Sequence, residues 1–393
     1  MLSLRRLAAA GLYLIAAVLL VGCSTQWPTA IPGAPATDPL PTETVVPQSA
    51  TPNAEVRPSP TGPPPTATLP PTEKVPKVEA PAEVEVTALP LSGALNDPDA
   101  EVSGLAWYGD SLIILPQYPN FATGSGDGNL YALPKAEIVT YLDGQAAGPL
   151  NPRAIPFVAP GLADTIRDFE GYEAIAFDGE RAYLTIEASP GWEMQGYLVA
   201  GQIASDLSGL LVEPTTITPI EPQTELGNKS DEALLVAGEW VVTLYEINGA
   251  RLNPAPVAHL FDQALTPSGT IPMPHIEYRI TDATALDSAN RFWAINYFFP
   301  LEFDQIPDTD PLVERYGAGA THLQYQTVER LVEFQYDTTG IRLVDRPPIQ
   351  LVLSSETGRN WEGLVRLDDR GFLLMTDRFP GTILGFVAAP IEE

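Results

Sequence analysis

Acidic residues recur along this chain at a fixed interval. Glu173 is followed by Glu187, and Glu232 by Glu246, each 14 residues on. Asp282 and Asn296 keep the same interval, as do Ser103 and Gln117, while Glu362 and Asp377 stand 15 apart. A small residue follows the first member of each pair; then come an apolar run, a polar turn and a second apolar run. In the last copy, Arg359-Asn-Trp-Glu362-Gly363 leads through Asp368-Asp-Arg-Gly371 to Met375-Thr-Asp377. This pattern predicts two short strands joined by a tight turn, with a polar or acidic group at each open end.

Carboxylates gathered without compensation raise one another's pKa and strain the fold that gathers them. A hard cation relieves the strain, Ca²⁺ preferring six to eight oxygens; basic side chains do the same. Glu173, Glu232, Asp282 and Glu362 are the candidate ligands for Ca²⁺. Lys229, Arg279 and Arg359 each stand three residues before a repeated acid, and Arg167 stands three before Glu170. The second copy is ambiguous. Arg167-Asp-Phe-Glu170-Gly171 matches Arg359-Asn-Trp-Glu362-Gly363, whereas Glu173 keeps the interval. Candidate catalytic groups for metal-assisted hydrolysis are therefore Glu170, Glu173, Glu232 and Glu362 as ligands or bases, with Arg167, Lys229 and Arg359 stabilising an oxyanion. A ring of ion pairs that merely fixes one repeat to the next is the alternative.

The elements that must position these groups are strands. From Val84 onward, short runs of Val, Ile, Leu, Thr, Tyr and Trp alternate with Gly, Pro, Asp and Asn turns. The repeats start at 103, 173, 232, 282 and 362, separated by 70, 59, 50 and 80 residues. Units of that size, each opening on a hairpin, predict an all-β protein: a β-propeller of four-stranded blades whose inner strands line a central channel. Five blades are expected, or six if the last gap hides one around Leu331–Tyr336 and Ile341–Val344. Those two strands serve equally as the outer strands of the fourth blade. The last unit is one strand short, and Glu83–Ala88 is expected to supply it and close the ring. A pair of β-sandwich domains is the other architecture considered. Long amphipathic helices are absent; Leu312–Tyr316 and Leu162–Ile166 are short exceptions.

Four of these segments carry a family resemblance. Asp168-Phe-Glu-Gly171 with Ala182–Glu187, and Asn360-Trp-Glu-Gly-Leu364 with Phe372–Asp377, resemble the phytase-like ("esterase-like activity of phytase") β-propeller proteins. The resemblance implies an extracytoplasmic propeller with Ca²⁺ and hydrolysis of phosphoesters or esters. The chain departs from that pattern in two ways. Its folded part carries only Lys135 and Lys229, and its first unit has Ser103 and Gln117 where the others have acids.

The N-terminus reads as an address. Residues 1–23 have Arg5-Arg6, an apolar run from Leu7 to Val21, and then Gly22-Cys23, which marks a secretory signal. Leu20-Val-Gly-Cys23 resembles the bacterial lipoprotein signal, in which the cysteine is lipidated; acyl chains on Cys23 would hold the protein on a membrane without a spanning helix. Residues 24–82 contain 16 prolines with many Thr, Ala and Ser. Such a segment favours extended polyproline conformations, forms no packed core, and reads as a disordered stalk. The propeller is assigned to residues 83–393.

The formal net charge of −29 repels phosphate backbones and argues against nucleic-acid binding. The single cysteine leaves no intrachain disulfide and no thiol nucleophile. His259, His275 and His322 match no zinc spacing and read as surface or loop residues. Tyr297–Phe303 reads as an apolar loop packed into the fold, with a lid or a partner surface as the other reading. The expectation is a membrane-anchored extracytoplasmic monomer that binds an unknown small molecule or protein at its channel mouth. The alternative is a Ca²⁺-dependent phosphoesterase or esterase.

Overall fold

Each repeated hairpin forms the inner pair of a blade. In the computed structural model, which describes residues 80–191, 194–355 and 357–389, the innermost strands are Val102–Tyr108, Phe169–Asp178, Asp231–Ala237, Arg279–Ala283 and Trp361–Leu367. Each packs against the next, and the fifth returns to the first, so the five close into a ring. The chain is therefore an all-β, five-bladed propeller. No sixth blade is hidden in the long gap. Val328–Asp337 pairs with Arg291–Phe298 and with Gly340–Leu343, as an outer part of the fourth blade.

Two seams hold the ring. Val86–Leu89 pairs antiparallel with Leu384–Ala388, giving the fifth blade its outermost strand from the N-terminal side. The segment expected to close the ring is split, however. Its first two residues, Glu83–Val84, lie parallel to Ile349–Leu351 at the edge of the fourth blade. The first and second blades are also joined at their rims, where Leu210–Val212 runs parallel to Arg153–Val158.

The continuous apolar runs follow from the stacking of blades. Successive side chains on a strand point to opposite faces. Ile113 and Leu115 enter the core shared with the second blade, beside Leu184 and Ile186. Leu112 and Ile114 enter the core shared with the fifth, beside Leu373 and Met375. Both faces of a blade are dry, so both sets must be apolar. One helix was not expected, Lys135–Leu142. At eight residues it is too short for its apolar spacing to register as periodic, and it is held by Ile138, which is fully buried. Among the described residues no helix is long and apolar enough to cross a membrane. The expected signal segment, Cys23 and residues 24–79 of the expected stalk lie outside the described residues.

One irregularity, repeated in every blade, sets the functional geometry. The pairing between the two inner strands slips at Val102/Gly104, Tyr172/Ala174, Asp231/Ala233, Ile280/Ala283 and Trp361/Gly363. The residue left over is Ser103, Glu173, Glu232 or Glu362, and in the fourth blade Thr281 with Asp282. A β-bulge re-aims the extra side chain, so the repeated position of the sequence is a repeated bulge at one end of the channel. The small residue after it answers to crowding there: a Cβ on Gly363 would lie 2.7 Å from Leu105 Cγ.

Candidate functional site

All five blades contribute to one buried polar cluster at this mouth. The second blade supplies Glu173 and Glu187, the third Glu232 and Glu246, the fourth Arg279 and Glu302, and the fifth Glu362 and Asp377. The first blade supplies no charge, but Gln117 Nε2 donates to Glu173 Oε1 at 2.9 Å. Lys229 enters from the loop before the third inner strand. The central carboxylates are almost wholly shielded, Glu246 at 0% exposure and Glu173 at 4%.

Arg279 is the hub. It is the first residue of its strand, and its Nη2 donates to both oxygens of Glu232, at 3.0 and 3.1 Å. Its Nε donates to Glu246 Oε2 at 2.5 Å. Glu362 lies 3.5 Å from the same guanidinium and Glu302 3.9 Å. Lys229 Nζ donates to Glu302 Oε1 at 3.0 Å and lies 3.5 Å from Glu246. Asn360 Nδ2 joins Glu362 and Asp377, at 2.7 and 3.1 Å. Seven carboxylates thus share one arginine and one lysine.

The electrostatics follow from that ratio. Burial, followed by repulsion from Glu187, Glu362 and Glu232, raises Glu173 well above the usual carboxylate range. Burial and the Glu246 carboxylate lift Glu187 to about 7. Glu232 and Glu362 are also raised by burial, against the pull of Arg279. Glu302 goes the other way. Its burial opposes ionisation, but Arg279 and Lys229 together outweigh it and hold the group below its usual range. The same acids push Arg279 upward despite its desolvation. Three oxygens of the cluster, Glu187 Oε1, Glu302 Oε2 and Asp377 Oδ1, are buried and make no close hydrogen bond among the described residues, although the Ser230 hydroxyl is near enough to Glu187 to pull its pKa down a little. Glu187, Glu232 and Glu246 each bring a carboxylate oxygen within 4.8 Å of the others. Such a donor set fits a hard cation, which favours carboxylate oxygen.

The structure gathers some of the residues singled out in the sequence and disperses others. Glu173, Glu232, Glu362 and Lys229 meet in the cluster. Glu170 does not; it accepts from Ser189 Oγ, and Glu173 is the acid equivalent to the other repeats. Arg167 is exposed and bonds the Pro190 carbonyl oxygen at 3.0 Å. Arg359 turns away to Glu329, with Nε donating to Oε2 at 2.9 Å, and stacks over Trp361. Asp282 stands apart from the charged cluster. Its oxygens accept from the Leu364 and Ala283 amides at 2.7 and 2.8 Å. Burial raises its pKa well above normal, and the amides of Leu364, Ala283 and Leu105 partly offset that rise. It ties the fourth, fifth and first blades together. His259 is buried in a strand rather than at the surface, whereas His322 lies in a turn, half-buried, with Nδ1 2.7 Å from Glu83.

Glu302 was not anticipated as a site residue. It lies in the apolar loop after the fourth blade's second strand, outside the repeat, and no interval pointed to it. Glu187, Glu246 and Asp377 were visible as the second members of the pairs.

No protein-family model and no curated protein matches the chain. Among solved structures it is similar to a glycosyl hydrolase from Bacteroides ovatus, at 11% identity and a TM-score of 0.40 over 82% of this chain and 93% of that one. It is similar to a GH62 α-L-arabinofuranosidase catalytic domain from Coprinopsis cinerea, at 9% identity and 0.40 over 78% and 96%. An α-L-arabinanase mutant from Cellvibrio cellulosa matches at 12% and 0.38 over 74% and 90%. The ring of inner strands, not these likenesses, defines the fold.

Proposed function

We propose that this chain is a binding propeller, held on the outer face of a membrane by lipid on Cys23, whose acid-lined channel mouth captures a hard divalent cation, Ca²⁺ above all. One observation carries the reading: seven carboxylates converge on one arginine and one lysine, and three of their buried oxygens, Glu187 Oε1 among them, make no close hydrogen bond among the described residues. Buried charge of one sign must be neutralised by protons or by a cation. Glu187, Glu232 and Glu246 are the residues that would hold it. The cation would add to the positive charge that Arg279 and Lys229 divide among these carboxylates. The resemblance to phytase-like propellers and the lipoprotein-like signal support the same location and ligand.

Calcium titration of thermal stability tests this. An ion bound only by the folded protein stabilises it by about 2.7 kcal/mol at a hundred times its Kd, so the melting temperature should climb with Ca²⁺ in the wild type and stay flat in Glu187→Gln. No shift at millimolar Ca²⁺ sinks the metal reading. The anchor is tested separately, by palmitate labelling and membrane fractionation of wild type against Cys23→Ala.

Hydrolysis of phosphoesters or esters is the second reading. It is favoured by Glu187, whose pKa of about 7 suits a general base near neutrality. Against it, Arg279 and Lys229 are both already engaged by carboxylates, which leaves neither free for an oxyanion. Phosphatase and esterase screens of wild type against Glu187→Gln decide it; activity lost in the variant would establish the hydrolase.

A further inference from the structure

A second site lies on the flank of the fourth blade, away from the channel. A cavity of about 350 Å³ opens between the end of Arg291–Phe298 and the segment leading into Val328–Asp337. Its walls are mostly apolar, with Tyr278, Phe298, Ile306, Val313, Leu323 and Tyr325 among them. At its mouth the apolar side chains are unusually bare, Leu323 at 73% exposure and Ile306 at 49%. Arg330 is among the residues that line the cavity and is 3% exposed. Two of the three guanidinium nitrogens are used: Nε donates to Asn296 Oδ1 and Nη1 to Asp310 Oδ2, both at 2.7 Å. Nη2 is buried and has no partner among the described residues.

An apolar chamber of this size with one convergent donor has the make-up of a small-molecule site. An unmade hydrogen bond from a buried charged group is costly, so the ligand must bring an acceptor. Its charge is settled by the neighbours. Asp310 already balances Arg330, and among the described residues no other cation lines the cavity in a free state. His322 accepts the Glu329 amide on Nε2 at 3.3 Å, which leaves Nδ1 to donate to Glu83. Gln350 accepts from the Gly319 amide and donates to the Gly317 carbonyl oxygen, while Thr327 donates to the Phe298 carbonyl oxygen. A carboxylate entering here would be a second anion on a neutralised arginine, in a protein whose net charge is −29.

We propose that this cavity binds an uncharged, largely apolar small molecule through one carbonyl oxygen, which accepts from Arg330 Nη2 while the rest of the molecule lies against Tyr278, Phe298 and Leu323. This site is independent of the channel mouth and does not require the cation there.

The full chain is titrated with three probes of equal length, 2-octanone, octanoate and octane, followed by ligand-observed NMR. The ketone should bind, with the alkane and the carboxylate each at least about tenfold weaker. Leu323→Asp alters only the exposed rim and should weaken the ketone by about tenfold without unfolding the protein. Arg330→Met should erase the preference for ketone over alkane. If that variant fails to fold, the probe series and Leu323→Asp still decide. No binding of 2-octanone overturns the proposal. Equal binding of octane, tighter binding of octanoate, or unchanged affinity in Leu323→Asp overturns it as well.

Discussion

Arg279 illustrates how much can hang on one side chain. Its guanidinium offers a rigid fork of donors, and here three of its nitrogens face four carboxylates from three blades. Removing one partner of a buried ionic network costs about 3–5 kcal/mol, because the others are left as uncompensated charge. Arg279→Met should therefore lower stability by that amount at neutral pH, measured by denaturant unfolding, and by less at lower pH, where Glu232 and Glu362, both raised by burial, take up protons. The wild type has a related pH dependence. Glu187 titrates at about 7 in the folded protein against an ordinary 4.5. Between those values the folded state holds a proton that the unfolded state has lost, so stability falls as pH rises through that window. At about 1.4 kcal/mol per pKa unit, Glu187 alone accounts for roughly 3 kcal/mol. Glu173, Glu232 and Glu362 shift in the same direction. In EDTA the melting temperature should thus be higher at pH 5 than at pH 8, and Ca²⁺ should restore more at pH 8. A flat profile would mean that the cluster is neutralised some other way.

At the level of elements, the hairpin with its bulge is the unit that builds the mouth. Its turn in the fifth blade depends on Gly371, which has φ +148° and would place a Cβ 2.0 Å from the Val387 carbonyl oxygen. Gly371→Ala should cost about 3 kcal/mol, visible as a lowered melting temperature with Ca²⁺ binding retained once folded. The hairpins were legible in the sequence because their paired apolar runs and the turn residues between them are local signals. The convergence of Glu173, Glu232 and Glu362 was legible too, through the recurring interval of 14 or 15 residues. The fate of the basic residues was not. Lys229, Arg279 and Arg359 share one sequence offset, yet Arg359 leaves the mouth for Glu329 and Trp361. That choice belongs to an outer-strand acid with no repeat of its own. Asp282 shares the repeat as well, but the two-residue slip of its bulge sends its carboxylate to backbone amides instead of to Arg279. Glu302 was invisible because the loop that delivers it reads simply as apolar.

For the whole molecule, closure of the ring governs stability. Five blades bury their faces only against one another, so an open ring exposes two apolar flanks at once. Deleting residues 80–89 from the chain should remove the last strand of the fifth blade and the edge strand of the fourth, and replace cooperative unfolding with a broad transition, read by calorimetry. A sharp transition near the wild-type temperature would show that the seam is dispensable. The N-terminal strand has a mechanical consequence as well. It enters the ring at its seam, pairing with the final strand on one side and the fourth blade on the other. Any pull arriving from the N-terminal side is delivered first to Glu83–Val84 and then to Val86–Leu89, along the axis of both ladders. The hydrogen bonds that close the ring would then be strained in shear, all together, instead of being peeled one at a time. A protein suspended from that end would hang by its own clasp, in the loading direction in which a strand ladder resists most.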